Sequence, residues 1–163
     1  MPCEQGVRVL GQIPKEWEID ELNNRFVFGG GKRLPFGHHY TESVTKFRYL
    51  RVLDFYQKNI NFERLESLTG DTFKALSRYE VTNGDIVVSV AGSIGNFSLI
   101  NNANSSLRII LTENAIKLEA KGSENGKFIV LQANAEAIQK QIFSQIGTGG
   151  GVPKLAMHRV KSL

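Results

Sequence analysis

Residues 83–100 read NGDIVVSVAGSIGNFSLI. Asn83-Gly84 is a strong turn signal, and the β-branched residues in the following DIVVSVAG predict a well-buried strand. Gly92 and Gly95 then indicate a tight turn between two paired strands. The segment therefore predicts a turn, a buried strand, a second turn and a partner strand.

Similar patterns on both sides of this segment predict further elements. Four more segments read as strands: RFVF, FRYLRVLDF, LRIILT and AIKLEA. Asp71 can cap a helix through TFKALSRY, and Asn134 can cap AEAIQKQIFSQI, in which Ile138, Ile142 and Ile146 share one face. The last nine residues predict a short element with three apolar contacts: Leu155, Val160 and Leu163.

The chain has 163 residues, of which 41% are apolar and 22% are charged, and this composition predicts one compact domain with its own core. No apolar run reaches the roughly 18 residues that span a bilayer, and no secretory leader pattern is present at the start. We therefore expect a cytoplasmic protein without membrane contact. Cys3 and three histidines give no zinc-site spacing, so no structural metal is expected.

The net charge of +4 is unevenly distributed. Residues 32–51 alone carry a net +4, and the last ten residues add +3, so the remainder is slightly acidic. Three glycines at 29–31 open the polar stretch 32–46, which reads as a surface loop. Clustered cations on a loop suit a polyanion such as nucleic acid, although a solvated basic face explains the charge equally well.

The sequence does not match most catalytic motifs. A phosphate-binding loop would need glycine at Phe26 and serine or threonine at Arg33. AGSIG places Ser93 where a nucleophile elbow would, but the next segment reads as a strand instead of a helix. One enzymatic alternative stays open: a metal-dependent nuclease built on Asp85, Glu119 and Lys121.

The order of these segments resembles the target recognition domain of type I restriction-modification specificity subunits. IPKEW, GGGK before a polar loop, FRYLRVLDF, AIKLEA, a helix from Lys127 to Ile146 and GTGGGVPKLAMHRVKSL carry the likeness. Its most specific part, Gly84 to Phe97, is similar to the family pattern Gly-Asp-Ile/Val-Leu-hydrophobic-Ser-x-x-Gly-Thr-Ile-Gly, with Ser93 in place of threonine. The likeness covers residues 12–163 as one DNA target recognition domain, with residues 1–11 as a lead-in.

The resemblance implies an α+β fold of the α/β recognition-domain type, with a twisted, largely antiparallel or mixed β-sheet and a few packed helices. It also implies sequence-specific binding of double-stranded DNA without catalysis by this chain. Methyltransferase and restriction subunits would supply the chemistry and would hold S-adenosylmethionine, ATP and magnesium. The chain ends at Leu163, where the first connecting helix of the family would begin, so it resembles one recognition domain alone.

We expect the DNA-binding face on the loop 32–46, the strand after it and the C-terminal segment. Lys32, Arg33 and Lys154 are the expected phosphate contacts, and His38, His39 and Tyr40 are the expected base readers. The remaining predicted DNA-binding residues are Lys46, Arg48, Arg51, His158 and Arg159.

Overall fold

The computed structural model describes residues 12–104, 106–146 and 151–163. The α-helices are α1 Leu22–Arg25, α2 Gly70–Leu76, α3 Gly126–Ala133, α4 Glu136–Ser144 and α5 Met157–Lys161. The strands are β1 Phe26–Gly30, β2 Phe47–Leu50, β3 Phe55–Tyr56, β4 Asn59–Ile60, β5 Glu66–Ser67, β6 Glu80–Val81, β7 Ile86–Ser89, β8 Phe97–Leu99, β9 Arg108–Leu111 and β10 Ala115–Ala120. The predicted α+β class is confirmed.

The strands form two four-stranded sheets and a small ribbon. The first sheet has the order β1-β10-β7-β8 and is antiparallel throughout. The second has the order β5-β2-β9-β6 and is mixed, because β2 and β9 run parallel while the outer pairs are antiparallel. The ribbon is the pair β3-β4. The expectation of antiparallel and mixed pairing is therefore confirmed, divided between two sheets.

Three apolar clusters show how these parts are layered. The first lies between one face of the first sheet and helices α3, α4 and α5, the second lies between the two sheets, and the third lies between the second sheet and α2. Strand β7 is buried on both faces: Ile86 and Val88 point into the first cluster, and Val87 points into the second. This double burial explains its near-continuous apolar sequence.

The hairpin predicted from residues 83–100 is confirmed. Strands β7 and β8 pair with Val88 opposite Phe97, and Gly92 and Gly95 in the connection have φ angles of 73° and 85°. Glycine adopts this left-handed backbone without steric cost. Because AGSIG joins two strands, Ser93 does not lie on a nucleophile elbow.

Two helix predictions need correction. Helix α2 begins at Gly70 after Thr69, whose side chain accepts a hydrogen bond from the Thr72 amide, so Asp71 is not its cap. The continuous helix from Lys127 to Ile146 is two helices, α3 and α4, separated at Asn134. Asn134 ends α3 instead of capping α4, because its side chain bonds both backbone groups of Phe97 on the edge strand β8.

The strand predicted from FRYLRVLDF is shorter than expected. Phe47–Leu50 pairs within the second sheet, a 3-10 turn at Val52–Asp54 follows Arg51, and Phe55 begins the separate ribbon β3-β4. The three predicted apolar contacts of the C-terminal segment are confirmed, since Leu155, Val160 and Leu163 are all buried. The lead-in 1–11 and most of the glycine-rich loop, 147–150, lie outside the described residues.

Candidate nucleic-acid interface

The basic loop, residues 31–46, contains no helix or paired strand and is fixed at its start by backbone hydrogen bonds. The Gly31 amide donates to the Ala115 carbonyl at 3.2 Å, and the Lys32 amide donates to the Leu111 carbonyl at 2.9 Å. A buried strand residue adds a third bond, from the Tyr49 hydroxyl to the Lys32 carbonyl at 2.8 Å. The loop therefore leaves the protein from a defined position.

Gly31 is required at this start by close backbone approach. A Cβ atom on Gly31 would lie 1.9 Å from the Thr112 carbonyl oxygen, which is far inside van der Waals contact. The neighbouring Gly30 has more room, since its Cβ would meet only the flexible end of Met157 at 3.9 Å. Of these two glycines, Gly31 is the one that allows the loop to lie against the turn at 112–114.

The middle and end of the basic loop are also attached. Nδ1 of His38 lies 2.8 Å from the hydroxyl of the buried Thr72 in α2. The Thr41 amide donates to the Ser67 carbonyl at 3.0 Å, and the Thr45 hydroxyl donates to the Leu68 carbonyl at 2.7 Å. These contacts hold a long loop in one conformation, which lowers the entropic cost of presenting its side chains to a ligand.

Lys32 and Arg33 point away from the protein at the start of this loop. Lys32 is exposed, and no side-chain partner lies near it within the described part of the chain. Arg33 has a 77% exposed side chain and lies 3.5 Å from a carboxylate oxygen of Glu113. Both cations can reach a ligand without disturbing the core.

Arg51 has a different environment, because it is held by two carboxylates. Its guanidinium binds Asp54 at 2.9 Å and Glu66 at 2.5 Å, and the Asp54 side chain is completely buried. It also lies 5.9 Å from the ring centroid of Tyr40, which is itself 5.7 Å from the ring of Tyr49. Burial raises the pKa of the Tyr40 hydroxyl above its ordinary value.

Lys154 lies at the same end of the two sheets. Ala91 and Lys154 form an isolated antiparallel bridge, and a Cβ on Gly92 would lie 3.6 Å from Val52, the residue after Arg51. The fold thus brings Lys154 near the segment that carries Arg51, from more than 100 positions away in the sequence.

His158 and Arg159 belong to the short helix α5, which packs beside β1. Met157, the first residue of α5, approaches Gly30, and Lys161 lies 5.6 Å from the ring of Phe28. His158 is exposed, whereas Arg159 is half-buried. Helix α5 thus begins next to the strand that leads into the basic loop.

Lys46 and Arg48 lie towards the opposite end of β2. From Lys46 to Arg51 the extended chain covers roughly 16 Å, so Lys46 does not meet the cluster around Arg51. Lys46 lies 5.4 Å from the Phe47 ring, and Arg48 donates to the Ser67 hydroxyl. Arg48 also lines a cleft of about 630 Å³ that is rich in asparagine and that sequence analysis missed. The lining asparagines are Asn59, Asn61, Asn101, Asn102 and Asn104.

His39 and Phe36 are exposed on the basic loop. Phe36 was not singled out from the sequence, yet its side chain is fully exposed at 106% of the reference area. The order Pro35-Phe36-Gly37 is the signal that could have found it, because proline and glycine favour a turn that presents the residue between them.

The nuclease candidates do not form a metal site. Asp85 is buried and accepts hydrogen bonds from the Thr82 amide and hydroxyl, at 2.8 and 3.3 Å. Burial raises its pKa, and the Thr82 amide opposes this shift. Lys121 donates to the Asn23 carbonyl at 2.8 Å, while Lys117 is the lysine near Asp85 and Glu119, at 3.9 and 3.4 Å. Nothing in the geometry favours the nuclease alternative.

Groups that could bind a metal ion and helices that could span a membrane are both absent from the described residues. Across residues 12–104, 106–146 and 151–163, no group of three or more histidine, cysteine, aspartate or glutamate side chains could hold a metal ion. In the same part of the chain, every helix is too short or too polar to cross a bilayer.

The fold is similar to that of solved specificity subunits. The S subunit of a type I restriction-modification system from M. genitalium has a TM-score of 0.58 and 14% identity, and the HsdS subunit from Thermoanaerobacter tengcongensis has 0.60 and 12%. A structure from work on complex assembly and conformational transition of the type I R-M system has a TM-score of 0.65 and 13% identity. Each match covers 94% of this chain but only 35%, 33% and 34% of the other chain, respectively.

The sequence itself gives the family. Residues 14–163 match the family described as type I restriction modification DNA specificity domain. The chain belongs to this family, and the resemblance recognised from its motifs is confirmed. It spans about a third of the length of the solved subunits named above. No curated protein sequence gives a significant match.

Proposed function

We propose that this chain binds double-stranded DNA in a sequence-dependent manner, as one target recognition domain of a type I restriction-modification specificity subunit. The observation that carries the proposal is the basic loop, which is anchored at its start, middle and end. Its first two cations, Lys32 and Arg33, project from one end of the two sheets. Membership of the DNA specificity domain family supports the same conclusion.

The exposure and the contacts of the side chains suggest which of them bind phosphates and which contact bases. Lys32, Arg33 and Lys154 are exposed and suited to phosphate oxygens, which fix position along the duplex. His39 and Tyr40 can offer hydrogen bonds to base edges. Because His38 bonds Thr72, its main role is to orient the loop.

Arg51 and Arg48 are proposed to act differently from these exposed groups. Arg51 is held by Asp54 and Glu66, so it supports the end of the sheet more than it contacts DNA. Arg48 faces the asparagine-rich cleft, away from the start of the basic loop.

In this proposal, DNA methylation and cleavage are catalysed by other subunits. Methyltransferase and restriction subunits would bind S-adenosylmethionine, ATP and magnesium, and this chain would direct them to a DNA sequence. Incubation of the purified chain with mixed-sequence duplex and magnesium tests this division. We expect intact DNA, and cutting that persists through purification and is lost in Lys121→Ala would contradict it.

The role in recognition is tested by transplantation. Residues 12–163 would replace one recognition domain of a complete specificity subunit, and methylation would be mapped across the genome of the host cell. We expect one half of the methylated sequence to change while the other half is kept. Unchanged specificity in an assembled, active enzyme would contradict the proposal.

A further inference from the structure

We propose that Phe36 is an apolar wedge that enters a base-pair step of the bound duplex and partly unstacks it. The inference rests on the proposed function and adds a specific contact to it. Phe36 is fully exposed, so its ring makes no packing contribution to the folded chain. Phenylalanine is one of the side chains that proteins insert between base pairs, where it partly unstacks and bends DNA.

The position of Phe36 is fixed although its ring is free. The His38 amide donates to the Pro35 carbonyl at 3.1 Å, and Gly37 has a φ of 81°, which together close a tight turn around Phe36. On one side Leu34 packs against the third apolar cluster, and on the other His38 binds Thr72. An ordered backbone lowers the entropic cost of insertion, because the loop does not have to become ordered when the ring enters a stack.

The charge around Phe36 matches a phosphate backbone. Residues 32–41 include two cations, Lys32 and Arg33, and two histidines but no acidic residue, while Glu113 from the turn at 112–114 lies 3.5 Å from Arg33. Arg33 and His39, on the two sides of the turn, are both exposed. An aromatic ring between such groups has the chemistry of nucleic-acid binding, in which cations hold phosphates and the ring contacts base faces.

The surroundings of Phe36 favour a base-pair step over a flipped base. An extrahelical base requires a pocket that encloses it. A Cβ on the adjacent Gly37 would meet nothing within 4 Å, and neither the asparagine-rich cleft nor the apolar groove between Trp17 and α3 is lined by Phe36. The ring projects from an open surface, which suits insertion into a stack.

The test uses the 163-residue chain and a duplex selected from a random library for binding to it. Adenine would be replaced by 2-aminopurine, one position at a time, because this base becomes fluorescent when it is unstacked. We expect fluorescence to rise at one step on binding of the original chain and of Phe36→Trp. We expect no rise with Phe36→Ala, together with about tenfold weaker binding and an unchanged salt dependence.

Val44→Ala is the matched control, since Val44 is also apolar, exposed at 87% and part of the basic loop. It should bind and raise fluorescence like the original chain. Equal fluorescence and affinity in Phe36→Ala would overturn the wedge while leaving DNA recognition intact. If the original chain selects no sequence, the proposed function fails, and the wedge fails with it.

Discussion

The hydroxyl of Tyr49 donates a hydrogen bond of 2.8 Å to the carbonyl oxygen of Lys32. Tyr49 lies in β2 and is only 3% exposed, whereas Lys32 is exposed on the basic loop. The bond therefore links the third apolar cluster directly to the surface proposed to bind DNA. A substitution at the buried Tyr49 can therefore test whether the anchoring of the loop matters for DNA binding.

Tyr49→Phe removes this bond and keeps the ring. We expect the free energy of unfolding to fall by about 1 kcal/mol, the usual net contribution of one hydrogen bond. Sequence-dependent DNA binding should weaken with an unchanged salt dependence, because no cation is lost. Tyr56→Phe is the control, since Tyr56 is 60% exposed. Equal DNA affinity of the two variants would contradict a role for this anchor.

Tyr49 also predicts a pH dependence of stability. Burial raises the pKa of its hydroxyl to about 12, above the value near 10 of an unfolded chain. The folded state therefore retains a proton that the unfolded state has lost, and the stability from this group is complete below pH 10 and declines towards pH 12. Denaturant titrations from pH 9 to 12 should show a steeper loss in the original chain than in Tyr49→Phe. Parallel curves would contradict this origin of the pH dependence.

Gly31→Ala tests the close contact between the basic loop and the turn at 112–114. The new Cβ would meet the Thr112 carbonyl at 1.9 Å, so the backbone must shift and we expect a loss of more than about 2 kcal/mol. Gly30→Ala is the matched control, with its nearest neighbour at 3.9 Å, and it should change stability by less than about 1 kcal/mol. Thermal and denaturant unfolding measure both. Similar losses of unfolding free energy in the two variants would show that the contact with Thr112 does not exclude a side chain at position 31.

Lys32→Ala and Arg51→Ala test whether Lys32 contacts DNA and whether Arg51 instead stabilises the fold. Removal of the Arg51 side chain leaves the buried Asp54 with only the backbone amide of residue 51 as a partner and should cost about 3 kcal/mol of stability. Removal of the exposed Lys32 should leave stability within about 0.5 kcal/mol and reduce the slope of log affinity against log salt by about 0.9. Unfolding and binding titrations on both variants check this pattern. A reduced slope for Arg51→Ala with normal stability would reverse the assignment.

The sequence predicted the local elements well where short-range signals control them. The turn at Asn83-Gly84, the buried strand β7 and the glycines of the β7-β8 connection act within a few residues, so they are visible in the letters. The basic loop was predicted for a similar reason, because the polar stretch after Gly31 has no regular apolar pattern; Gly29 and Gly30, however, extend β1 instead of forming a turn.

Long-range contacts explain what was missed. Asn134 has the sequence signature of a helix cap, but its side chain bonds Phe97, 37 positions earlier, and the predicted helix divides there. Arg51 reads as an exposed cation because one partner, Glu66, is 15 positions away, and because the other, Asp54, lies on a 3-10 turn where the sequence predicts a strand. The sequence does not show which carboxylate a cation will meet after folding. The DNA-binding residues, chosen by residue type and by their place on the loop, β2 and the C-terminal segment, remain a prediction.

Selection of bound duplexes from a random library, followed by titration at increasing salt, tests the central claim most directly. The chain should enrich a short common sequence, bind it more tightly than a scrambled duplex, and lose affinity steeply as salt rises. Lys32→Ala combined with Arg33→Ala should flatten that salt dependence. Binding that shows no sequence preference at low salt, or that does not respond to salt, would contradict the claim.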